Sequence, residues 1–328
     1  MKKIIVQLYN FIVCLSPWIE VSLRHFYRRN IHLLKKFNPN KPGGHALCQN
    51  EQSSRVDFKK IEDWLRQKGV GAGSLLIVHS SYDELERTGL SPEEIIDRLL
   101  ALVGPTGTLC MPVIRRFKEV GKDDEENVDF QDLVCTYNVK KTMVISGMLP
   151  WTFMHHTNAV ISHHPLNPLC AVGPLAEAMM EHNLDGEFPS PHGPNSAWKY
   201  CVDHGAVVCW LGTEAVHHNT ISHVAEEAYP NWRWNNQEWY RKRKFNIIDE
   251  NKNVLYQEVY ERKPEWGELR LAEKNEEKIL TRKRLVQTEN IDGLMRVGYM
   301  NVKPYMQFRL SEKRYKKGRP YYKFVWER

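Results

Sequence analysis

Three short apolar runs constrain the fold of this chain more than any other feature. Residues 74–79, 108–112 and 205–212 are each bounded by glycine, proline or polar residues, a pattern that indicates buried strands. Helical patterns alternate with them. One covers about 57–68, and another opens at Ser91, where Ser-Pro-Glu-Glu forms a capping box with proline at the first helical position. The chain has 328 residues, enough for a sizeable core, and the alternation predicts a single layered α/β/α domain.

Weaker signals complete this pattern. Helices are expected near 146–155, 174–183 and 196–203, and a short strand near 158–162. Beyond residue 230, two strand-like stretches separated by a turn across 250–253 predict a β-hairpin. The final part of the chain is charged and aromatic without a clear repeat, and the sequence allows no assignment of elements there.

The positive charge of the chain is concentrated at its N-terminus. Residues 1–43 hold eight Lys or Arg and one acid, Glu20, a local charge of +7; the whole chain carries +6, so the remainder carries −1. A body of that charge is not typical of a nucleic-acid-binding core. We expect an N-terminal arm and linker over 1–54 and a main domain over 55–328, with core motifs at 74–230 and a charged, aromatic part at 231–328.

Residues 1–36 of the arm have two interpretations. Their apolar run is shorter than a membrane-spanning helix, and Pro17 interrupts it. The segment either lies as an amphipathic element on an anionic membrane surface or packs on its own domain or a partner subunit. The seven cysteines include no C-x-x-C pair and fit a reducing cytosol. We therefore predict a cytoplasmic protein, with peripheral contact at the inner membrane surface as one alternative, and leave the oligomeric state open.

The stretch from His217 to Glu227 carries the chemistry-bearing residues. His223 and Glu226 are three apart, so a helix places them on one face. An imidazole beside a carboxylate is a general base with the group that orients it. Glu227, at the i+4 position, is within reach as well, and the choice between the two glutamates stays open.

Two other function classes compete with this interpretation. His217, His218 and His223 offer ligand types for a metal-dependent hydrolase, although no H-E-x-x-H motif is present and adjacent histidines point apart. A non-catalytic membrane-associated binding module is the other alternative. We expect no metal site.

The chain resembles the aminoglycoside 3-N-acetyltransferase family in an ordered set of motifs over about residues 57–230. The motifs are His79-Ser-Ser81, Gly104-x-x-Gly-Thr-Leu-x-Met-Pro112, Ser146-Gly-Met148, Ser162-x-His164-Pro165, Ala171-x-Gly173, Ser190-Pro191, Leu211-Gly212 and Thr220-x-x-His223-x-x-Glu226. Their order and context carry the resemblance, since no single motif is specific. The resemblance implies an α/β fold unlike that of GCN5-type acetyltransferases.

The resemblance also implies an acetyl-CoA-dependent N-acetyltransferase, which acts on a primary amine of an amino sugar by direct transfer with His223 as base and Glu226 as its partner. The residues implied to lie near coenzyme A are His79, Ser80, Ser81, Thr108, Met111, Ser162 and Ser190. The residues implied to lie near the amine acceptor are Thr220, Asp83 and His218.

Two departures from the family pattern bear on the substrate. Ile161 stands where the family usually has arginine, and Val113 where it usually has threonine. A missing guanidinium weakens contacts to phosphate or carboxylate groups. We therefore expect an endogenous amino sugar, such as a sugar nucleotide, a polysaccharide precursor or a lipid-linked sugar, in preference to an aminoglycoside, and keep antibiotic resistance as the alternative role.

Overall fold

A computed structural model gives the structure of this protein. It describes residues 55–121, 128–215, 218–229, 240–263 and 280–311, together with the single positions 22, 26 and 30. The predicted arm over 1–54 and His217 lie outside the described residues, apart from those three positions.

Ten strands and eight α-helices are described. The strands are β1 (Leu75–Ser80), β2 (Thr108–Pro112), β3 (Val134–Asn138), β4 (Val160–Ile161), β5 (Leu169–Val172), β6 (Val207–Leu211), β7 (Tyr240–Ile248), β8 (Val254–Arg262), β9 (Val286–Ile291) and β10 (Met295–Asn301). The helices are α1 (Phe58–Gln67), α2 (Tyr82–Leu85), α3 (Pro92–Val103), α4 (Met148–Phe153), α5 (Ala176–Met180), α6 (Ala197–Asp203), α7 (Val224–Glu227) and α8 (Val302–Arg309).

A seven-stranded sheet forms the centre of the molecule, in the order β4-β5-β2-β1-β6-β10-β9. Strand β1 runs parallel to both β2 and β6, and the remaining pairs in this sheet are antiparallel. Ser80, the last residue of β1, lies opposite Leu211, the last residue of β6. The carboxyl ends of these two central strands therefore meet at one edge of the sheet, the position where open α/β sheets bind ligands.

Both faces of this sheet are covered by helices, as the sequence predicts for an α/β/α domain. Leu76 and Val78 of β1 belong to a core shared with α1 and α3. Leu75 and Ile77 point to the opposite face and belong to a second core shared with α5, α6, α7 and α8. The alternation along β1 follows from the two-residue period of a strand, and its residues are apolar because both faces are buried.

The predicted helix starts are confirmed by their capping interactions. Asp57 precedes α1, and its side chain accepts a hydrogen bond from the backbone N–H of Lys59 at 2.9 Å. Ser91 and Glu94 form the reciprocal capping box at the start of α3. Each of these caps satisfies backbone donors that a helix start leaves unpaired. They fix where two of the helices that cover the sheet begin.

A second sheet of three strands, in the order β3-β7-β8, lies outside the central one. Strands β7 and β8 form the predicted hairpin, whose turn falls between Ile248 and Val254. Arg243 of β7 is fully buried, and its guanidinium lies over the rings of Phe117, Phe130 and Phe245. Its Nη1 also donates to Glu261 of β8 at 2.8 Å. A buried charge needs such a partner, so this ion pair holds the hairpin together.

Near the C-terminus the structure contains elements that the sequence does not predict. Strands β9 and β10 complete one side of the central sheet, and β10 pairs with β6 from Val297 to Asn301. Helix α8 follows directly and packs in the same core as α6. The sequence predicts no elements there, because β9 (Val-Gln-Thr-Glu-Asn-Ile) is mostly polar and has no continuous apolar run. The helices expected at 146–155 and 174–183 are also shorter than predicted.

In the parts of the chain that the structure describes, no helix combines the length and the apolar composition needed to cross a membrane.

Candidate active site

His223 and Glu226 form a hydrogen-bonded pair at the end of a short helical segment. Residues Thr220–His223 make a 3-10 helix that continues into α7. His223 Nδ1 lies 3.0 Å from Glu226 Oε2. The side chain of His223 is 25% exposed, whereas that of Glu226 is 3% exposed. An ionised carboxylate can only accept, so Nδ1 carries the proton and the Nε2 lone pair of His223 is left to act as a base.

Glu226 is held in its ionised form by two arginines. Burial alone raises the pKa of this carboxyl, but the positive charges of Arg262 and Arg309 and the bond from His223 bring the pKa well below its ordinary value. Arg262 Nη2 contacts Oε2. Arg309 Nη2 donates to Oε1 at 3.1 Å. The carboxylate therefore has a fixed orientation toward His223.

Burial lowers the pKa of His223 below its ordinary value of 6.5, and the nearby charge of Arg262 lowers it further. The carboxylate of Glu226 acts in the opposite direction but does not reverse the result. The imidazole is consequently neutral at pH 7, the form in which it can accept a proton.

A second histidine–glutamate pair, His192–Glu227, lies beside the first. His192 Nδ1 lies 3.2 Å from Glu227 Oε1, and the backbone N–H of His192 donates to Oε2 at 3.0 Å. Burial raises the pKa of Glu227, but His192 and Arg262 outweigh it and lower the pKa to about 2. The rings of His192 and His223 are 5.1 Å apart between centroids. The two adjacent glutamates thus serve different histidines, and Glu226 is the one bonded to His223.

The residues His79, Ser80 and Ser81 lie at the carboxyl end of β1. His79 is 6% exposed, and its ring is 6.3 Å from those of Trp198 and Trp210. Burial lowers the pKa of His79 to about 3. Within the described part of the chain, His79 Nε2 and Ser80 Oγ are buried without a hydrogen-bond partner. Buried polar atoms are normally paired, so this edge of the sheet has unused capacity for a polar ligand.

Thr108 lies at the opposite end of β2 from this edge, and Met111 lies near the edge with its side chain in the core. Their predicted contacts with coenzyme A stay predictions. Thr108 pairs with Leu75, at the opposite end of β1 from Ser80, and its hydroxyl accepts from the backbone N–H of Leu175 at 3.1 Å. Met111 is fully buried in the core below α1 and α3. The order of the motifs gives the strand correctly but does not show which side chains of the strand reach the cleft.

Ser162 and Ser190 belong to loops near the His192 pair. Ser162 is buried, and its hydroxyl donates to Asn183 at 2.5 Å and accepts from the backbone N–H of His164. His164 in turn contacts the carbonyl oxygen of Pro189, next to Ser190. The hydroxyl of Ser162 therefore stabilises a loop. The predicted contacts of Ser162 and Ser190 with coenzyme A stay predictions.

The three residues predicted near the acceptor lie around the same edge. Thr220 begins the 3-10 helix that ends at His223. The carbonyl oxygen of His218 accepts from Trp210 Nε1 at 3.0 Å, and the His218 ring is 6.3 Å from that of His79. Asp83 is exposed on α2, the helix that begins directly after Ser81. Among the described residues, no group of three or more His, Cys, Asp or Glu could hold a metal ion, and His217 is not among them.

The sequence does not predict His192, Arg262 or Arg309 as site residues. Arg262 is 35 residues from Glu227, and Arg309 is 83 residues from Glu226. Contacts between residues so far apart in the sequence depend on the topology of the fold, and no local sequence pattern predicts them. Only His192 had a signal, because it follows the quoted motif Ser190-Pro191.

The sequence of this chain matches a known protein family. The family described as aminoglycoside 3-N-acetyltransferase matches residues 77–311. The chain is 26% identical over 184 residues to aminoglycoside N(3)-acetyltransferase IX of Micromonospora chalcea, a match that covers 54% of this chain and 64% of that protein. The chain spans less than two thirds of the length of the curated relatives it matches first.

Solved structures share the fold. A structure of AAC-IIIb in a binary complex with CoASH superposes with a TM-score of 0.59 at 16% identity and covers 77% of this chain and 94% of the other. A structure of AAC-VIa bound to sisomicin gives a TM-score of 0.60 at 15% identity and covers 77% and 96%.

Proposed function

This chain belongs to the aminoglycoside 3-N-acetyltransferase family, and from that premise we propose that it transfers an acetyl group from acetyl-CoA to a primary amine of an amino sugar. The observation that carries the proposal is the pair His223–Glu226, in which a neutral imidazole with a fixed tautomer is 25% exposed. A primary ammonium group must lose a proton before it can attack, and His223 Nε2 is the group placed to accept it.

The acetyl donor fits the carboxyl end of β1. His79 Nε2 and Ser80 Oγ are buried there without a partner among the described residues, and they could bond the amide groups of a pantetheine arm. The free N–H groups and hydroxyls at a strand end suit such contacts. Acetyl-CoA supplies the thioester, and the protein supplies orientation and the base.

Direct attack of the amine on the thioester accounts for the site without an acyl-enzyme. In this step the new C–N bond forms, the C–S bond breaks, and the nitrogen gives up a proton to His223. Glu226 stabilises the resulting imidazolium, since its carboxylate is already bonded to Nδ1. The described cysteines are all buried, so none of them is an exposed nucleophile.

The charges around His223 favour an acceptor with few positive charges. Glu226 and Glu227 are both paired with arginine, so these carboxylates do not leave net negative charge for a polycation. This balance supports an endogenous amino sugar, nucleotide- or lipid-linked, as the acceptor. The alternative acceptor is an aminoglycoside, such as the sisomicin bound by the similar AAC-VIa.

Thiol release from acetyl-CoA tests the proposal. Nucleotide-linked amino sugars and aminoglycosides are offered in parallel to the full chain, with the variant His223→Ala as the control. We expect acceptor-dependent thiol release with a higher kcat/KM for the amino sugars. Release that no acceptor of either class increases above the rate of acetyl-CoA hydrolysis would contradict the function, and a preference for aminoglycosides would contradict the proposed acceptor.

Contact of residues 1–36 with an anionic membrane surface, and with it the cytoplasmic location, stays a prediction. Flotation with vesicles that contain anionic lipid tests it, when the full chain is compared with a chain that lacks these residues. Equal flotation of the two would exclude the arm as the membrane contact.

A further inference from the structure

We propose that Arg262 is a positioning residue for the transfer reaction: its guanidinium holds the carboxylates of both histidine–glutamate pairs, and its positive charge opposes a second positive charge on His223. This proposal rests on the proposed function for its role in catalysis. The observation that carries it is a bridge between adjacent carboxylates. Arg262 Nη2 contacts Glu226 Oε2 and lies 3.3 Å from Glu227 Oε1.

The bridge is largely buried. The side chain of Arg262 is 10% exposed, and those of the two glutamates are 3% and 2% exposed. Charges in such a setting interact much more strongly than charges in water. Loss of one partner also leaves another charge buried without compensation. Arg262 therefore affects both carboxylates at once, which a surface ion pair would not do.

The second sheet fixes the position of this arginine. Arg262 is the last residue of β8 and lies opposite Tyr240 of β7. Its neighbour Glu261 is bonded by Arg241 and by the buried Arg243. The backbone N–H of Tyr260 donates to the carbonyl oxygen of Pro189, in the loop that leads to His192. The hairpin is thus tied to the same loop that supplies the second histidine, so its end cannot shift without disturbing the site.

The charges that face His223 balance when its ring is neutral. Glu226 and Glu227 come from its own helical segment, and His192 comes from the loop before α6. Arg262 comes from β8 and Arg309 from α8. Two carboxylates against two guanidiniums leave no net charge, and protonation of His223 adds one positive charge to the cluster. Arg262 opposes that protonation, in agreement with the lowered pKa of His223.

The role of Arg309 differs from that of Arg262. Its Nη2 also contacts the carbonyl oxygen of Ser222, and its Nη1 donates to Tyr305 at 3.2 Å. The bond to Ser222 anchors α8 to the 3-10 helix, and Arg309 contacts Glu226 but not Glu227 in the described structure. The bridge between the two pairs belongs to Arg262.

The test is a titration of the His223 imidazole by NMR of the nitrogen-labelled full chain, together with the pH profile of kcat/KM. The variants are Arg262→Gln, Arg262→Lys and the control Lys242→Gln, which removes a more exposed ion pair, that with Glu258, from the same hairpin. We expect Arg262→Gln to raise the pKa of His223 by about 1 unit and to move the acidic limb of kcat/KM to higher pH by the same amount. Lys242→Gln should leave both unchanged.

Arg262→Lys retains the charge but loses the planar fork that can bridge two carboxylates. We expect it to keep the pKa of His223 within about 0.5 unit and to lower kcat by roughly fivefold. An unchanged His223 pKa in Arg262→Gln overturns the proposal. If Arg262→Gln does not fold, a wild-type kcat in Arg262→Lys overturns it instead.

The titration needs no substrate, so the two proposals fail in different ways. If the wild-type protein shows no acetyl transfer, the proposed function is contradicted, and so is the role of Arg262 in catalysis. The titration then tests only the effect of the Arg262 charge on His223. Normal transfer with an unchanged titration in Arg262→Gln contradicts the role of Arg262 alone.

Discussion

The two histidine–glutamate pairs of this site consist of the same residue types but differ in their exposure to solvent. The open pair, His223–Glu226, has a histidine side chain that is 25% exposed, whereas the closed pair, His192–Glu227, is 3% and 2% exposed. His192 also lies beside Trp198 and is bonded to Glu227 through its backbone as well as its ring. The same chemistry is therefore available to a substrate in one pair and serves structure in the other.

The largest effect should follow from the loss of the open pair's base. We expect His223→Ala to lower kcat by roughly 10²–10⁴-fold, because proton transfer by a positioned base contributes that much. Steady-state thiol release gives kcat, and calorimetry gives the affinity for coenzyme A, which should change little. A kcat within a factor of three of wild type would show that His223 is not the base.

The closed pair should contribute more to the stability of the fold than to catalysis. We expect Glu227→Gln to lower the free energy of unfolding by about 3 kcal/mol, because it removes one partner from a buried cluster and leaves Arg262 undercompensated. Urea denaturation followed by far-ultraviolet circular dichroism measures this change. Asp203→Asn, at an exposed ion pair with Lys199, is the matched control and should have a much smaller effect. Equal losses of unfolding free energy in the two variants would show that the closed pair contributes no more to stability than an exposed ion pair.

The acid stability of the protein should reflect the closed pair as well. Glu227 has a folded-state pKa of about 2, below its ordinary value of 4.5. The unfolded chain therefore binds the proton first, so the stabilisation is complete above pH 4.5 and declines as the pH falls toward 2.

Thermal unfolding at several pH values between 6 and 3 tests this dependence. In Glu227→Gln we expect the melting temperature to fall less steeply with decreasing pH than in wild type. Parallel curves for the two proteins would show that Glu227 does not titrate as the structure indicates.

The smallest effect on activity should come from a residue next to the open pair. Thr220 begins the 3-10 helix that ends at His223, and its hydroxyl is the predicted acceptor contact. We expect Thr220→Val to lower kcat/KM by about fivefold, the cost of one neutral hydrogen bond, whereas Thr220→Ser should stay close to wild type. Equal values for the two variants would place the hydroxyl outside the acceptor site.

The central strands and the first helices could be predicted because their signals are local. The runs at 74–79, 108–112 and 205–212 became β1, β2 and β6, and the capping box at Ser91 starts α3. Spacing alone also placed His223 and Glu226 together, since three residues suffice to bring their side chains onto one face.

The rest of the site depends on contacts that no local pattern shows. Arg262 and Arg309 reach Glu226 from a strand and a helix far along the chain, and β10 joins the central sheet from a stretch without a clear prediction. The position of Thr108 within the sheet could not be predicted for the same reason. A motif locates a strand, but only the sheet register shows which end of the strand lies at the cleft.

The pH dependence of kcat/KM in wild type, His223→Ala and His192→Ala tests the central claim most directly. If His223 is the base, activity in wild type rises with pH through an ionisation below 6.5, since the pKa of His223 is lowered. The account predicts that this ionisation is retained in His192→Ala and absent from the residual activity of His223→Ala. The same ionisation in all three proteins would contradict the assignment of His223 as the general base.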